Sequence, residues 1–175
     1  KENYFFDAPI SGGEAGAING TLSVMLGGGN KNSLIVRKLI KTFAKNIVHV
    51  GPNGHGQLTK MINQICIAGL LQGLSEALSF GSQKKLDMNK VLDAISQGAA
   101  QSWQMENRAV TMLNNKFNFG FAVDLMIKDL KIALLEAKSL DLNLKVTKDI
   151  LNRYKKLSDE GYGSYDTSSL IKLLK

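Results

Sequence analysis

GHGQLTKMINQICIAGLLQGLSEALSF, residues 54–80, decides the fold. Beyond Pro52 the apolar residues recur at helical spacing, and the run is far longer than a strand. We expect one long, mostly apolar helix over residues 56 to about 82. Gly69 and Gly73 puncture it, and each costs helix stability unless another backbone packs closely there. Met61, Ile62, Ile65, Ile67 and Leu70 spread around the cylinder, which predicts burial on several sides.

Working outward, the residues before this helix have a different texture. TyrPhePheAspAlaProIle (4–10) and ThrLeuSerValMetLeu (21–26) are β-type runs bounded by glycine-rich turns. Residues 32–43 carry apolar positions at helical spacing, and AsnIleValHisVal (46–50) returns to a strand closed by Gly51-Pro52. The result is β-β-α-β, too little for a stable doubly wound sheet and similar to the end of one. After the long helix, Asp87 and Ser102 are expected to cap two further helices. Residues 122–140 and 144–158 form two more, the second ending near Gly161, and Asp166 caps a short terminal helix. The expected fold is mainly α, with a β-rich segment over 1–52 and an all-helical domain over 53–175.

Composition narrows the function classes. The chain has 175 residues, is 44% hydrophobic and 21% charged, and contains two prolines, as an ordinary globular domain does. Its net charge of +7 comes from scattered lysines with no basic stripe, which argues against nucleic acid and suits small anionic substrates. The single cysteine, Cys66, forms no intrachain disulfide, so a reducing, cytoplasmic setting is expected. No signal segment and no uninterrupted apolar span of about 20 residues is present, so no membrane partner is expected. His49 and His55 are isolated from other ligand types, so no metal is expected. Because the chain starts at Lys1 on a truncated β-rich segment, further residues are expected upstream.

Three stretches could carry chemistry. On a helix Gly56, Lys60, Asn63 and Gln64 share one face, with Gly56 leaving room above the lysine. An ammonium there either packs its stem and reaches water, or faces an anion and serves as a proton donor or acceptor. Ser11, Gly12 and Gly13 form either a tight connection between strands or a hydroxyl and two open amides that cradle a carboxylate. Around Phe121, Lys128 follows Asp124 by four residues and can simply pair with it on a helix surface. No glycine-rich stretch reads GxGxxG between a strand and a helix, and no phosphate-binding loop occurs.

Taken together, AspAlaProIleSerGlyGlyGluAlaGlyAla (7–17) with the following strand, GlyHisGlyGlnLeuThrLysMetIleAsnGln (54–64) and LysAspLeuLysIleAla (128–133) resemble the β-hydroxyacid dehydrogenase family. That family includes 3-hydroxyisobutyrate dehydrogenase, tartronate semialdehyde reductase and glyoxylate/succinic semialdehyde reductase. The resemblance covers essentially the whole chain, to AspThrSerSerLeu (166–170). It implies an NAD- or NADP-dependent oxidoreductase acting on a small hydroxy acid or semialdehyde, with substrate between a Rossmann domain and a helical domain. Residues 1–52 would then be the end of the Rossmann domain, and the main cofactor motif would lie outside this chain.

The same resemblance makes Lys60 the catalytic general acid/base. It places Ser11, Gly12, Gly13, Asn63 and Gln64 on the substrate and Phe121, Lys128 and Asp129 on the cofactor. It also implies a homodimer or homotetramer, and a fragment inactive without its upstream half. Where the family usually has asparagine four residues after the lysine, this chain has Gln64, which moves the amide by one methylene. A non-catalytic helical dimerisation or binding module is the competing reading.

Overall fold

The computed structural model describes residues 3–174, and the side chains of residues 30 and 32 lie outside the description. The chain divides into two compact units, residues 1–63 and 64–175. The division falls inside the long helix, eleven residues beyond the end of the β-rich segment read from sequence.

In the first unit the expected opening strand is two short ones, β1 (Phe6–Asp7) and β2 (Ile10–Ser11). Both run antiparallel to β3 (Leu22–Gly28) in one continuous register, with Phe6 opposite Gly28 and Ile10 opposite Val24. They are halves of one strand interrupted at Pro9, which has no N–H to give the ladder, although its carbonyl still accepts from Met25 N at 3.0 Å. A helix that the sequence reading did not foresee, α1 (Gly13–Ile18), fills the connection to β3. Gly16 permits its close approach: a Cβ there would lie 3.0 Å from Leu22 Cδ2.

Helix α2 (Asn30–Ile40) crosses to β4 (Ala44–Gly51), which lies parallel to β3, as a helical crossover allows. Leu22, Val24 and Leu26 of β3 pack with Ile40, Ala44 and Ile47 to form this unit's core.

Helix α3 (His55–Gln83) begins in the first unit and continues into the second. In the helical unit it is followed by α4 (Met88–Ile95), α5 (Trp103–Leu113), α6 (Val123–Ser139), α7 (Lys145–Leu157) and a terminal 3-10 helix, Thr167–Leu174. The expected caps are in place. Asp87 accepts from Asn89 N and Lys90 N, Ser102 Oγ accepts from Met105 N at 3.1 Å, and Asp166 Oδ1 accepts from Ser168 N at 3.0 Å. Helix α7 runs on through one wider turn to Gly161, whose φ of 88° only glycine adopts readily.

Two apolar clusters hold this unit. Ala68 and Leu71 meet Val123, Met126, Leu130, Leu151 and Tyr154, while Leu74 and Leu78 meet Met105, Ala109, Met112 and Phe117.

The long helix departs from expectation in one respect: a single stripe, Gln64, Ala68, Leu71, Ser75 and Leu78, is buried rather than several sides. Cys66, Leu70 and Phe80 are exposed, and a Cβ on Gly69 or Gly73 would meet nothing within 4 Å, so among the described residues no backbone packs there. Among the described residues α3 alone has the length and apolarity to cross a bilayer. Its buried stripe, with Ser75 Oγ donating to Leu71 O at 2.7 Å, joins both apolar clusters of the helical unit.

Candidate functional site

Lys60 stands in the second turn of α3, half-buried, with Asn63 one turn further on. What fixes that turn is Asp7. Its Oδ1 accepts from Gly54 N at 2.7 Å and its Oδ2 from Gln57 N at 2.9 Å, so a carboxylate from β1 supplies the cap that the helix start does not provide for itself. Asn53 Nδ2 adds a bond to Phe5 O at 2.6 Å.

The carboxylate fits because two glycines leave space for it. A Cβ on Gly27 would collide with Asp7 Oδ1, and one on Gly56 would collide with Met25 O and lie 2.7 Å from Asp7 Oδ2. Gly56 therefore makes room for Asp7 and β3, not for the lysine, which corrects the sequence reading.

Burial pushes the Asp7 carboxyl up, but the amides of Gly54, Gln57 and Gly56 and its own, together with the favourable field of a helix N-terminus, hold it below the usual aspartate range. The folded-state value thus lies under the unfolded one. The stabilisation is fully present above about pH 4, the ordinary aspartate value, and is lost as pH falls through the lower folded value. Amide exchange at Gly54 and Gln57 is expected to accelerate selectively in that acid window. Equal protection there at neutral and strongly acid pH would contradict the assignment.

Strand β2 delivers Ser11 to the turn. Ser11 pairs with Ser23 in the ladder and is half-exposed. Gly12 and Gly13 follow with φ of 124° and 61°, conformations that a residue with a Cβ adopts only under strain. A Cβ on Gly13 would meet nothing within 4 Å, whereas one on Gly12 would lie 3.2 Å from Leu22 Cδ2, so the turn is open on its Gly13 side. The hydroxyl and adjacent amides are available to a small anion.

Lys60, Asn63 and the Ser11-Gly12-Gly13 turn thus belong to one unit, while Gln64, Phe121, Lys128 and Asp129 belong to the other. Within the helical unit Gln64 is buried, its Nε2 donating to Asp129 Oδ2 at 2.6 Å and lying 3.9 Å from Met126 Sδ. Asp129 Oδ1 pairs with Lys128 Nζ at 3.0 Å. The expected Lys128–Asp124 surface pair gives way to this contact, because Asp124 instead accepts from Ser158 Oγ at 2.6 Å. Lys128 is 62% exposed, a cation on which a phosphate or carbonyl oxygen can settle.

Phe121 is half-buried against the first helical cluster, and its backbone N donates to Asp166 Oδ2 at 3.0 Å. Asp166 is itself buried and paired with Arg108 Nε at 3.3 Å. A Cβ on Gly120, where φ is 76°, would collide with that carboxylate.

Asp7, Arg108 and the Gln64–Asp129 contact were missed from the sequence. The only local signals were Gly27, Gly56 and Gly120, each a glycine at a close approach.

The chain is similar to known proteins along its length. Residues 54–174 match the family model described as the NAD-binding domain of NADP-dependent 3-hydroxyisobutyrate dehydrogenase, and residues 1–51 that of the NAD binding domain of 6-phosphogluconate dehydrogenase. An uncharacterized oxidoreductase of Shewanella frigidimarina is 49% identical over 95% of this chain and 57% of its own length. The 2-hydroxy-3-oxopropionate reductase of Escherichia coli is 40% identical over 97% of this chain and 58% of its own. The structure of 3-hydroxyisobutyrate dehydrogenase from Mycobacterium tuberculosis with L-serine superposes with a TM-score of 0.89 at 26% identity, covering 97% of this chain and 60% of that one. The chain therefore spans about three fifths of the length of each of these relatives.

Proposed function

The chain belongs to the β-hydroxyacid dehydrogenase family, and from that premise we propose that the protein it comes from is an NAD(P)-dependent oxidoreductase interconverting a small hydroxy acid and its semialdehyde. The observation that carries this reading is the tie between the two halves of the first-unit site: Asp7 fastens the turn preceding Lys60 to the strand that leads into Ser11-Gly12-Gly13. In this reading the Ser11 hydroxyl and the amides of Gly12 and Gly13 hold the substrate carboxylate. Lys60, charged, hydrogen-bonds the carbonyl oxygen and gives it a proton as negative charge develops there; in the oxidation it takes the hydroxyl proton back.

The nucleotide supplies the hydride when bound. This chain's donors fit only part of such a group: Lys128 offers an exposed ammonium, oriented by Asp129, and Phe121 an apolar ring edge, while no glycine-rich phosphate turn is present in the sequence. A relative solved with L-serine and another named for a three-carbon oxo acid support a small carboxylate substrate. The single cysteine supports a cytoplasmic setting.

The experiment is nucleotide-linked turnover by the full-length protein with a panel of small semialdehydes and hydroxy acids, using both NADH and NADPH and their oxidised forms. Steady reduction of at least one acid-bearing substrate is expected. A full-length protein that binds dinucleotide yet turns over none of them would sink the reading. Residues 1–175 alone are expected to be inactive and to bind dinucleotide weakly.

A homodimer is part of the same proposal, favoured by the outward stripe of Gly69, Leu70, Gly73, Ala77 and Phe80 on α3, where glycines allow a second backbone to approach. Phe80, 64% exposed, is a large apolar anchor with little to lose in the fold. Phe80→Glu is expected to weaken self-association by more than about tenfold, the effect of losing a buried interface anchor, without lowering monomer stability. Sedimentation of the variant as a dimer at wild-type concentrations would exclude this face.

A further inference from the structure

Asp7 has a role that neither its position in the sequence nor the family likeness assigns. The ladder between β2 and β3 holds Ser11 independently, through its pairing with Ser23. The start of α3 is tied to the β1 segment by the 53–57 contacts: Asn53 to Phe5 O, Gly54 N and Gln57 N to Asp7. The two contacts on Asp7 are charge-assisted and lie at opposite oxygens of a buried carboxylate, so they fix both the translation and the rotation of the first turn. Lys60 follows Gln57 by three residues, less than one helical turn. Any drift of that turn is carried directly to the lysine.

We infer that Asp7 is a positioning residue: from β1 it sets where the Lys60 amine stands while the Ser11-Gly12-Gly13 turn stays held by the β2–β3 ladder. This rests on the proposed role of Lys60 as proton donor. The built character of the contact supports it. Gly27 and Gly56 both surrender their side-chain space to the Asp7 carboxylate, and a Cβ on either would displace it. A carboxylate needed only to end a strand would not require two facing glycines. Asparagine at this position keeps one acceptor but turns an N–H toward a backbone N–H, so it loosens the turn without changing volume.

The geometry separates binding from chemistry. Substrate carboxylate binding depends on the Ser11 turn and survives, whereas proton transfer depends on sub-ångström placement of the amine and does not. In the full-length protein Asp7→Asn is expected to lower kcat by about tenfold or more with KM within about threefold. Gln57→Pro removes the hydrogen donated to Oδ2 from the other partner, at a first-turn position where proline is tolerated, and is expected to act in the same sense. The double variant is expected to be no worse than the more impaired single one, because both break one contact. Amide exchange of residues 54–60 should accelerate in each variant while the β3–β4 ladder stays protected.

A wild-type protein active on the semialdehyde panel together with an Asp7→Asn variant whose kcat lies within twofold would overturn the positioning role alone. So would additive losses in the double variant, a change confined to KM, or a lower melting temperature with unchanged turnover per folded molecule. Inactivity of the wild type on the whole panel would instead remove the proposed function, and the positioning role with it.

Discussion

Lys60→Ala in the full-length protein is expected to lower kcat by about 10²- to 10⁴-fold, the range that a positioned general acid or base contributes. That corresponds to roughly 3–5 kcal/mol of transition-state stabilisation. The fold should scarcely register the change. Lys60 is half-buried on the first two turns of α3, and the backbone amides of Gly54 and Gln57, which tie those turns to Asp7, are unchanged in the variant. Truncation leaves the Ser11-Gly12-Gly13 turn intact, so KM for an acid-bearing substrate should rise by much less than kcat falls. The pH profile adds a second readout: the limb of kcat that reports the proton donor in the wild type should vanish in the variant. If alanine leaves turnover within a few-fold of wild type, Lys60 is not the proton carrier, whatever the family likeness suggests.

Asp166→Ala is expected to destabilise the helical unit by about 3–5 kcal/mol, the usual cost of leaving a buried charge without its partner. Asp166 is 2% exposed and carries four groups at once: Arg108 Nε at 3.3 Å, Phe121 N at 3.0 Å, Ser168 N at 3.0 Å and Ser168 Oγ at 2.5 Å. Removing it strands a guanidinium between the rings of Trp103 and Phe119, each 4.9 Å from its centre, and leaves two amides unpaired. The loss should exceed by several-fold anything expected from the exposed Lys156–Glu160 pair at 3.9 Å, since solvated pairs contribute about 0–1 kcal/mol.

Asp166→Asn keeps the volume and part of the hydrogen bonding, so it should recover some of the stability. Tyr154 gives an independent signature. Burial raises its phenol well above the ordinary value, and the Asp166 charge raises it further, with a hydrogen bond to the Thr167 side chain opposing. Neutralising Asp166 should therefore lower the Tyr154 titration point while leaving it elevated. Denaturant unfolding and tyrosine absorbance against pH measure the two effects. A loss under about 1 kcal/mol with no change at Tyr154 would mean that the cluster is not the tie described.

Legibility from sequence tracked the range of the interactions. The caps at Asp87 and Ser102 act over two or three residues, and the apolar periodicity of 54–80 over four, so both are visible in a short window. Lys60 stands out in the sequence because charge is conspicuous in an apolar run, and the turn at Gly12-Gly13 because adjacent glycines are. The break at Pro9 was also inferable in principle, yet which half-strands pair with β3 was not.

What the chain's order of residues determined by itself was the succession of elements, apart from α1 and the split of the first strand, and the likeness to a dehydrogenase family, because propensity, capping and period are local properties and motifs are read in line. Tertiary structure alone decided that Gly56 admits a carboxylate rather than a ligand, that Gln64 turns to Asp129 across 65 residues, and that α3 buries one stripe and bares another. Those outcomes depend on which distant groups compete for the same space and the same hydrogen bond. No local window contains both competitors.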